Sequence, residues 1–329
     1  MVKHPFTFLF LAFALCHSGA AAALAAPMTY SSAQAHKFQA WRDQAVRVLA
    51  ARPDANSLAT AAALSFIHGR AAPSGAPAAL QLIARASEAS PDSAAIDWLH
   101  LQLCAASPGC DSRDVATALR WVDPDNGAAW LSRLSTAHKD KDDVEVDRVL
   151  ADMAHGRRFD LYYNQLIVMM FDALSPVRRE LPGGVLASDA ARFNALAGIA
   201  NAELIPPLSP LTAVCREAAA GERRENCLKV AKIMQKGDTV IVQMTGFNIE
   251  KFLLPPESRE ARSAAERKRL LEWRTAAADQ LDASILPWTR NTRARTRLAQ
   301  MRVRPREEDV CISLLREHKM ALEPPENHR

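Results

Sequence analysis

The densest set of hard, metal-type ligands in this chain is an acidic run: Asp140, Asp142, Asp143, Glu145 and Asp147. A calcium loop needs carboxylates at alternate positions, a glycine for its sharp turn and a closing bidentate glutamate. Here the glycine is missing and lysines interrupt, so the run reads as a solvated loop between helices. The densest cationic set follows later, with Arg290, Arg293, Arg295, Arg297, Arg302, Arg304 and Arg306 and no carboxylate among them. Arg290, Arg293 and Arg297 would share one helix face beside Trp288. They form a candidate anion-binding patch for anionic envelope material or an acidic protein surface. The plainer reading, which is preferred, pairs these arginines with acids elsewhere or leaves them in water.

Catalytic and cofactor signatures are scarce. The chain has no Gly-x-Ser-x-Gly elbow, no His-Glu-x-x-His helix, no Gly-x-x-x-x-Gly-Lys loop and no Cys-x-x-Cys. His36, His68, His100, His138 and His155 make no ligand-spaced pair on one helix, so neither metal nor cofactor is expected. Catalytic groups can also be assembled in space, so an enzyme stays as the second reading. Leu166 to Met170 is a continuous apolar run that suits a buried helix better than a pliable groove. Tyr162 and Tyr163, at its start, are candidates for a concave contact surface.

The first 25 residues read as an export leader. Lys3 and His4 open it, Phe6 to Leu15 is nearly all apolar, and Ala23-Leu24-Ala25 fits a small-x-small cleavage site. That apolar core is shorter than the roughly 20 residues a membrane span requires. Leu15 is too bulky to make Cys16 a lipidation site. No later stretch is long and apolar enough to span a bilayer, the best candidate being broken by Gln243, Asn248, Glu250 and Lys251. A periplasmic or secreted location is therefore expected, and nucleic acid is not an expected partner. The formal charge of +4 points to no anionic partner by itself.

Export makes disulfides the natural use of cysteine. Cys215 and Cys227 flank Gly221 at equal distance between two helix-like stretches, which places them at one height in an antiparallel hairpin. Cys104 and Cys110 flank the turn Ser107-Pro108-Gly109 and could staple an elbow. Cys311 is left over and reads first as a small buried hydrophobe.

The elements that would position these groups are helical throughout. Phe38, Trp41, Ala45 and Val48 fall on one helix face, as do Val115, Ala118, Leu119 and Val122, and Val146, Val149, Leu150 and Met153. Pro53-Asp54, Pro91-Asp92 and Pro124-Asp125 recur at about the spacing of stacked helix-turn-helix units. In the second and third, Ser90 and Asp123 are expected caps, with proline in the first turn. At the first, the start shifts to Asp54 or Asn56. Thr239 to Leu254 is strand-like in its first residues, but its length, Asp238 as a cap and Pro255-Pro256 as a stop favour a helix. It is apolar on nearly every side, so a central, buried position is expected, with Gly246 admitting a close neighbour. A last helix runs from Glu307 towards Lys319, its end charges matching its dipole.

Residues Asp123 to Leu131 resemble the boundary and opening helix of a tetratricopeptide-type repeat, and Ala151 and Ala154 fall where its second helix carries small residues. The resemblance covers roughly residues 36–175 and departs from the pattern at Ser135 and Asp147. It implies an all-α stack of antiparallel helix hairpins, continuing into a C-terminal helical region. The expected organisation is a leader at 1–25, degenerate repeats at 26–175 and a C-terminal region at 176–329 with the stapled hairpin. The leading functional expectation is an exported scaffold that binds another envelope protein or a peptide. An envelope enzyme acting on a wall polymer or peptide stands second, and a self-assembling structural protein third.

Overall fold

Short polar side chains begin many of the helices, because the first turn of a helix leaves backbone N–H groups without partners. The computed structural model describes residues 32–66, 76–182, 186–218, 220–283 and 289–325. The expected leader, His68 and Trp288 lie outside them. In chain order the helices are α1 (Ser32–Ala50), α2 (Ala55–Ser65), α3 (Ala76–Ala89), α4 (Ala94–Ala105) and α5 (Ser112–Val122). A 3-10 turn, Gly127–Trp130, leads into α6 (Leu131–Asp140), followed by α7 (Asp143–His155) and α8 (Tyr163–Leu174). After these come α9 (Asp189–Ile199), α10 (Ser209–Glu217), α11 (Gly221–Met234) and α12 (Val240–Leu253). The chain closes with α13 (Arg259–Ala283), α14 (Arg290–Val303) and α15 (Glu307–Glu317). Among the described residues there is no strand, only an isolated bridge between Asn126 and Arg158.

Asp54 caps α2 through Ser57 N–H at 2.9 Å, and Asp142 caps α7 through Glu145 N–H at 3.0 Å. The other two proline-aspartate pairs behave differently from expectation. Pro91-Asp92 and Pro124-Asp125 are turns that precede the helical segments, whose caps are Ser93 and Asn126. Asp123 is not a cap, because its carboxylate is held by Arg158 and by the Tyr162 hydroxyl. The stretch after Asp238 is helical, as its length and its proline stop suggest. Its cap is Thr239, which accepts from Val242 N–H at 3.3 Å. Asp238 points the other way, onto the start of α8.

Neighbours in sequence pack as neighbours in space from α1 to α5, and again between α6 and α7 and from α11 through α12 to α13. The plan is more than a row, however. α8 touches α1, α2, α4, α9 and α14, while α7 lies on α11 and α6 on α10. One buried apolar cluster consequently runs from Trp41 on α1 to Leu314 on α15. Leu166, Ile167 and Met170 of α8 are buried in it, so the apolar run at 166–170 is core packing.

α12 is less enclosed than its composition suggests, since Ile241 and Phe252 are exposed. Its contact with α11 is nevertheless very close. A Cβ placed on Gly246 would lie 2.7 Å from Ala231 O and 2.9 Å from Gln235 N, both backbone atoms that cannot swing aside. Gly246→Ala is therefore expected to destabilise by about 2 kcal/mol through overpacking. The check is a lower urea midpoint at unchanged slope. A variant as stable as the parent would mean that the two helices part at little cost.

Candidate functional site

The candidate site is a polar cleft built around the cysteine hairpin. Cys215 ends the buried face of α10, and Cys227 lies midway along α11; their Cα atoms are 5.5 Å apart and their sulfurs bonded. Between the helices the chain reverses through Gly221, whose φ of 74° is a left-handed conformation that glycine adopts without a Cβ clash. The bridge thus fixes the spacing of the two helices at their elbow. A second bridge, Cys104–Cys110, closes the turn after α4 with a Cα separation of 5.3 Å. Cys311 is free and buried. Burial, with the nearby Glu307 carboxylate adding to it, pushes its thiol up to about 12, out of the reactive range.

α7 packs against α11, and along that seam opens a cleft of about 650 Å³. Asp147, Arg148 and Ala151 line one side, and Glu217, Glu222, Arg223 and Asn226 line the other. Arg223 ties the two sides together, donating to Asp147 and, at 3.0 Å, to Asp143. Arg148 is likewise held by Glu145 at 2.8 Å. Glu217 and Glu222 are exposed, and among the described residues neither has an ion-pair partner. Asn226 is 6% exposed, and its amide has no hydrogen-bond partner among the described residues. In the last turn of α10, Arg216 covers the ring of the half-exposed Phe252 at 4.7 Å. The cleft therefore offers two uncommitted carboxylates and one uncommitted amide.

A second polar assembly lies inside the molecule, where four inter-helix loops meet. Asn126 donates to Asp160 O at 2.9 Å and to the Tyr162 hydroxyl at 3.0 Å, and accepts from Asp160 N–H at 3.0 Å. Tyr162 reaches this position with φ of 56°, in the left-handed region, which costs an L-residue about 1–2 kcal/mol. Asp238 accepts from Leu161 N–H at 2.8 Å and Tyr163 N–H at 3.1 Å, closing the start of α8. Its own carbonyl accepts from Glu307 N–H at 2.7 Å, and the Glu307 carboxylate accepts from Val240 N–H at 2.9 Å. Asn164 completes the joint by donating to Arg304 O at 3.0 Å. The starts of α8, α12 and α15 are thus satisfied by one another's loops. Burial, together with repulsion from Asp160 and Glu307, raises the Asp238 carboxyl to about 8 against the two N–H bonds that favour its charged form. Burial also raises Asp160 and Glu307.

The residues singled out from sequence are dispersed over this frame. Tyr162 and Tyr163, candidates above for a concave contact surface, are instead buried in the joint. Burial also drives both phenols upward from their ordinary range. Arg293 and Arg297 both reach Asp282, the first at 3.4 Å, with only 11% and 21% of their side chains exposed. Arg295 pairs with Asp189, Arg302 with Asp172 and Arg306 with Glu308. Arg290 is left exposed at the start of α14. The acidic run is not the expected loop: Asp140 ends α6, Asp142 caps α7, and Asp143, Glu145 and Asp147 lie in its first turns, Asp143 and Asp147 being the partners of Arg223. Among the described residues, no group of three His, Cys, Asp or Glu could hold a metal ion. None of the described helices is long and apolar enough to cross a membrane.

Glu217, Glu222 and Asn226 were not identified from sequence. The available signal was their position within one to five residues of the hairpin cysteines. Compared with family models, curated proteins and solved structures, the chain matches none.

Proposed function

We propose that this is an exported helical-repeat protein that binds another protein or a peptide in the cell envelope, through the cleft between α7 and the α10–α11 hairpin. The observation that carries the reading is the uncommitted polar groups of Glu217, Glu222 and Asn226 on a wall that a disulfide holds in place. Burying such groups against a partner that satisfies them costs little, whereas a partner that leaves them bare is penalised. The tetratricopeptide-like character of residues 36–175 belongs to the same reading, as a stack of hairpins supporting a contact surface. So does removal of a leader after Ala25, followed by oxidation of the two cysteine pairs outside the cytoplasm.

The test is photo-cross-linking in intact cells, with the reactive side chain placed at Ala151 or Ala220 in the cleft, or at Ala118 on the exposed face of α5. Specific adducts from the two cleft positions and none from Ala118 are expected. The same adducts from all three positions, or none from the cleft, would overturn the assignment of the cleft. N-terminal sequencing of the exported protein is expected to begin at Ala26. An unprocessed start recovered from cells would remove the exported location from the proposal.

A further inference from the structure

We infer that the cleft takes an extended segment bearing lysine or arginine. Glu217 and Glu222 receive the positive side chain, and the Asn226 amide pairs with the segment's backbone. The inference rests on the cleft being the binding surface and adds the chemistry of its occupant. Three carboxylates and two guanidiniums line the cleft. The guanidiniums are already committed, Arg223 to Asp143 and Asp147 and Arg148 to Glu145, so they offer little to an anion. Glu217 and Glu222 have no such commitment among the described residues, so the uncommitted charge lining the cleft is negative.

Asn226 is an independent pointer. Asn226 is 6% exposed as a residue, yet its amide lines the cleft, has no hydrogen bond among the described residues and is open to solvent there, which leaves a donor and an acceptor to be met by whatever enters. A peptide unit presents the matching acceptor and donor side by side. An inorganic cation or a polyamine presents no acceptor for the amide's N–H. The volume of about 650 Å³ accommodates several residues of extended chain rather than a single ion.

The experiment measures fluorescence anisotropy of the purified, oxidised full-length exported chain at low ionic strength. The probes are labelled decapeptides of alternating lysine and serine, or of alternating glutamate and serine. The lysine peptide is expected to bind, the glutamate peptide not, and the difference to shrink as salt is raised. The double variant Glu217→Gln, Glu222→Gln is expected to weaken the lysine peptide about tenfold. Asn226→Ala is expected to weaken it about fivefold with its salt dependence unchanged, as the loss of a neutral hydrogen bond requires. Circular dichroism of each variant confirms that it is folded, and the isosteric glutamine changes keep shape constant. Equal binding of both peptides, or no loss in the double variant, overturns the inference. Spermidine competing as well as an unlabelled lysine peptide overturns the peptide assignment. Because in-cell adducts at Ala151 and Ala220 do not depend on the occupant's charge, they separate failure of this inference from failure of the proposed function.

Discussion

Asp238→Ala is expected to destabilise the fold by about 4 kcal/mol, the largest loss anticipated for any single side chain here. The residue is 3% exposed and closes the first turn of α8 with two hydrogen bonds, to Leu161 and Tyr163 N–H. Removing it leaves both donors buried without a partner, at roughly 1–3 kcal/mol each. Urea unfolding read by circular dichroism measures the loss. A drop below about 1 kcal/mol would show that water or another group takes over the cap.

The same residue sets a pH dependence of definite sign. Its carboxyl is raised from the ordinary aspartate range to about 8 in the native state. The folded protein therefore keeps a proton that the unfolded chain releases above about pH 4. The stabilisation is complete below that point and is lost as pH rises towards about 8. The melting-temperature advantage of the parent over Asp238→Ala should accordingly be larger at pH 5.5 than at pH 8.5. A constant advantage would mean that Asp238 is ionised throughout.

Loss of the Cys215–Cys227 bridge ranks second, at roughly 3 kcal/mol. The figure follows from loop length, because a cross-link removes more freedom from the unfolded chain when it closes a longer loop. Its sequence separation is 12, against 6 for Cys104–Cys110, whose removal should cost roughly 2 kcal/mol in the same treatment. Serine replacements at each pair, compared under oxidising conditions, test the order. Dithiothreitol should destabilise the parent and leave a variant lacking both bridges unchanged. The 215–227 variant should also lose affinity for the lysine peptide, since the elbow bearing Glu217 and Glu222 is no longer held to Cys227. Unaltered binding would mean that helix packing alone shapes the cleft.

What could be read from the chain in advance was whatever rests on local chemistry. Gly221 midway between two cysteines is a statement about one hairpin, and the hairpin forms around it. Gly246 in a long apolar segment marks a close helix contact, and α11 lies against it. Pro255-Pro256 ends a helix because the second ring has no N–H to donate and restricts the residue before it. Asp238 was also seen, but as a cap for the helix that follows it. Thr239 does that work, and Asp238 instead closes a helix beginning 75 residues earlier. No periodicity carries that pairing. Glu307 looked like an ordinary acid in a first helical turn, yet its carboxylate meets Val240 across 67 positions. Arg293 and Arg297 were correctly placed on one helix, but Asp282, which engages both, belongs to another. The cleft itself depends on how α7 lies against α11, which is a tertiary fact.

The joint at the start of α8 also governs the order in which the molecule can be completed. While the polypeptide is still being made, Leu161 and Tyr163 emerge long before the aspartate that satisfies them. Until residue 238 follows, the central helix has an unfinished end, and its neighbours α1, α2 and α4 gather around a rod not yet locked in place. Glu307, later still, supplies the last clasp by joining the start of α12. The early half of the chain thus lacks this cap until the late half arrives, an order compatible with the proposed export, in which a chain is threaded through a pore before it sets.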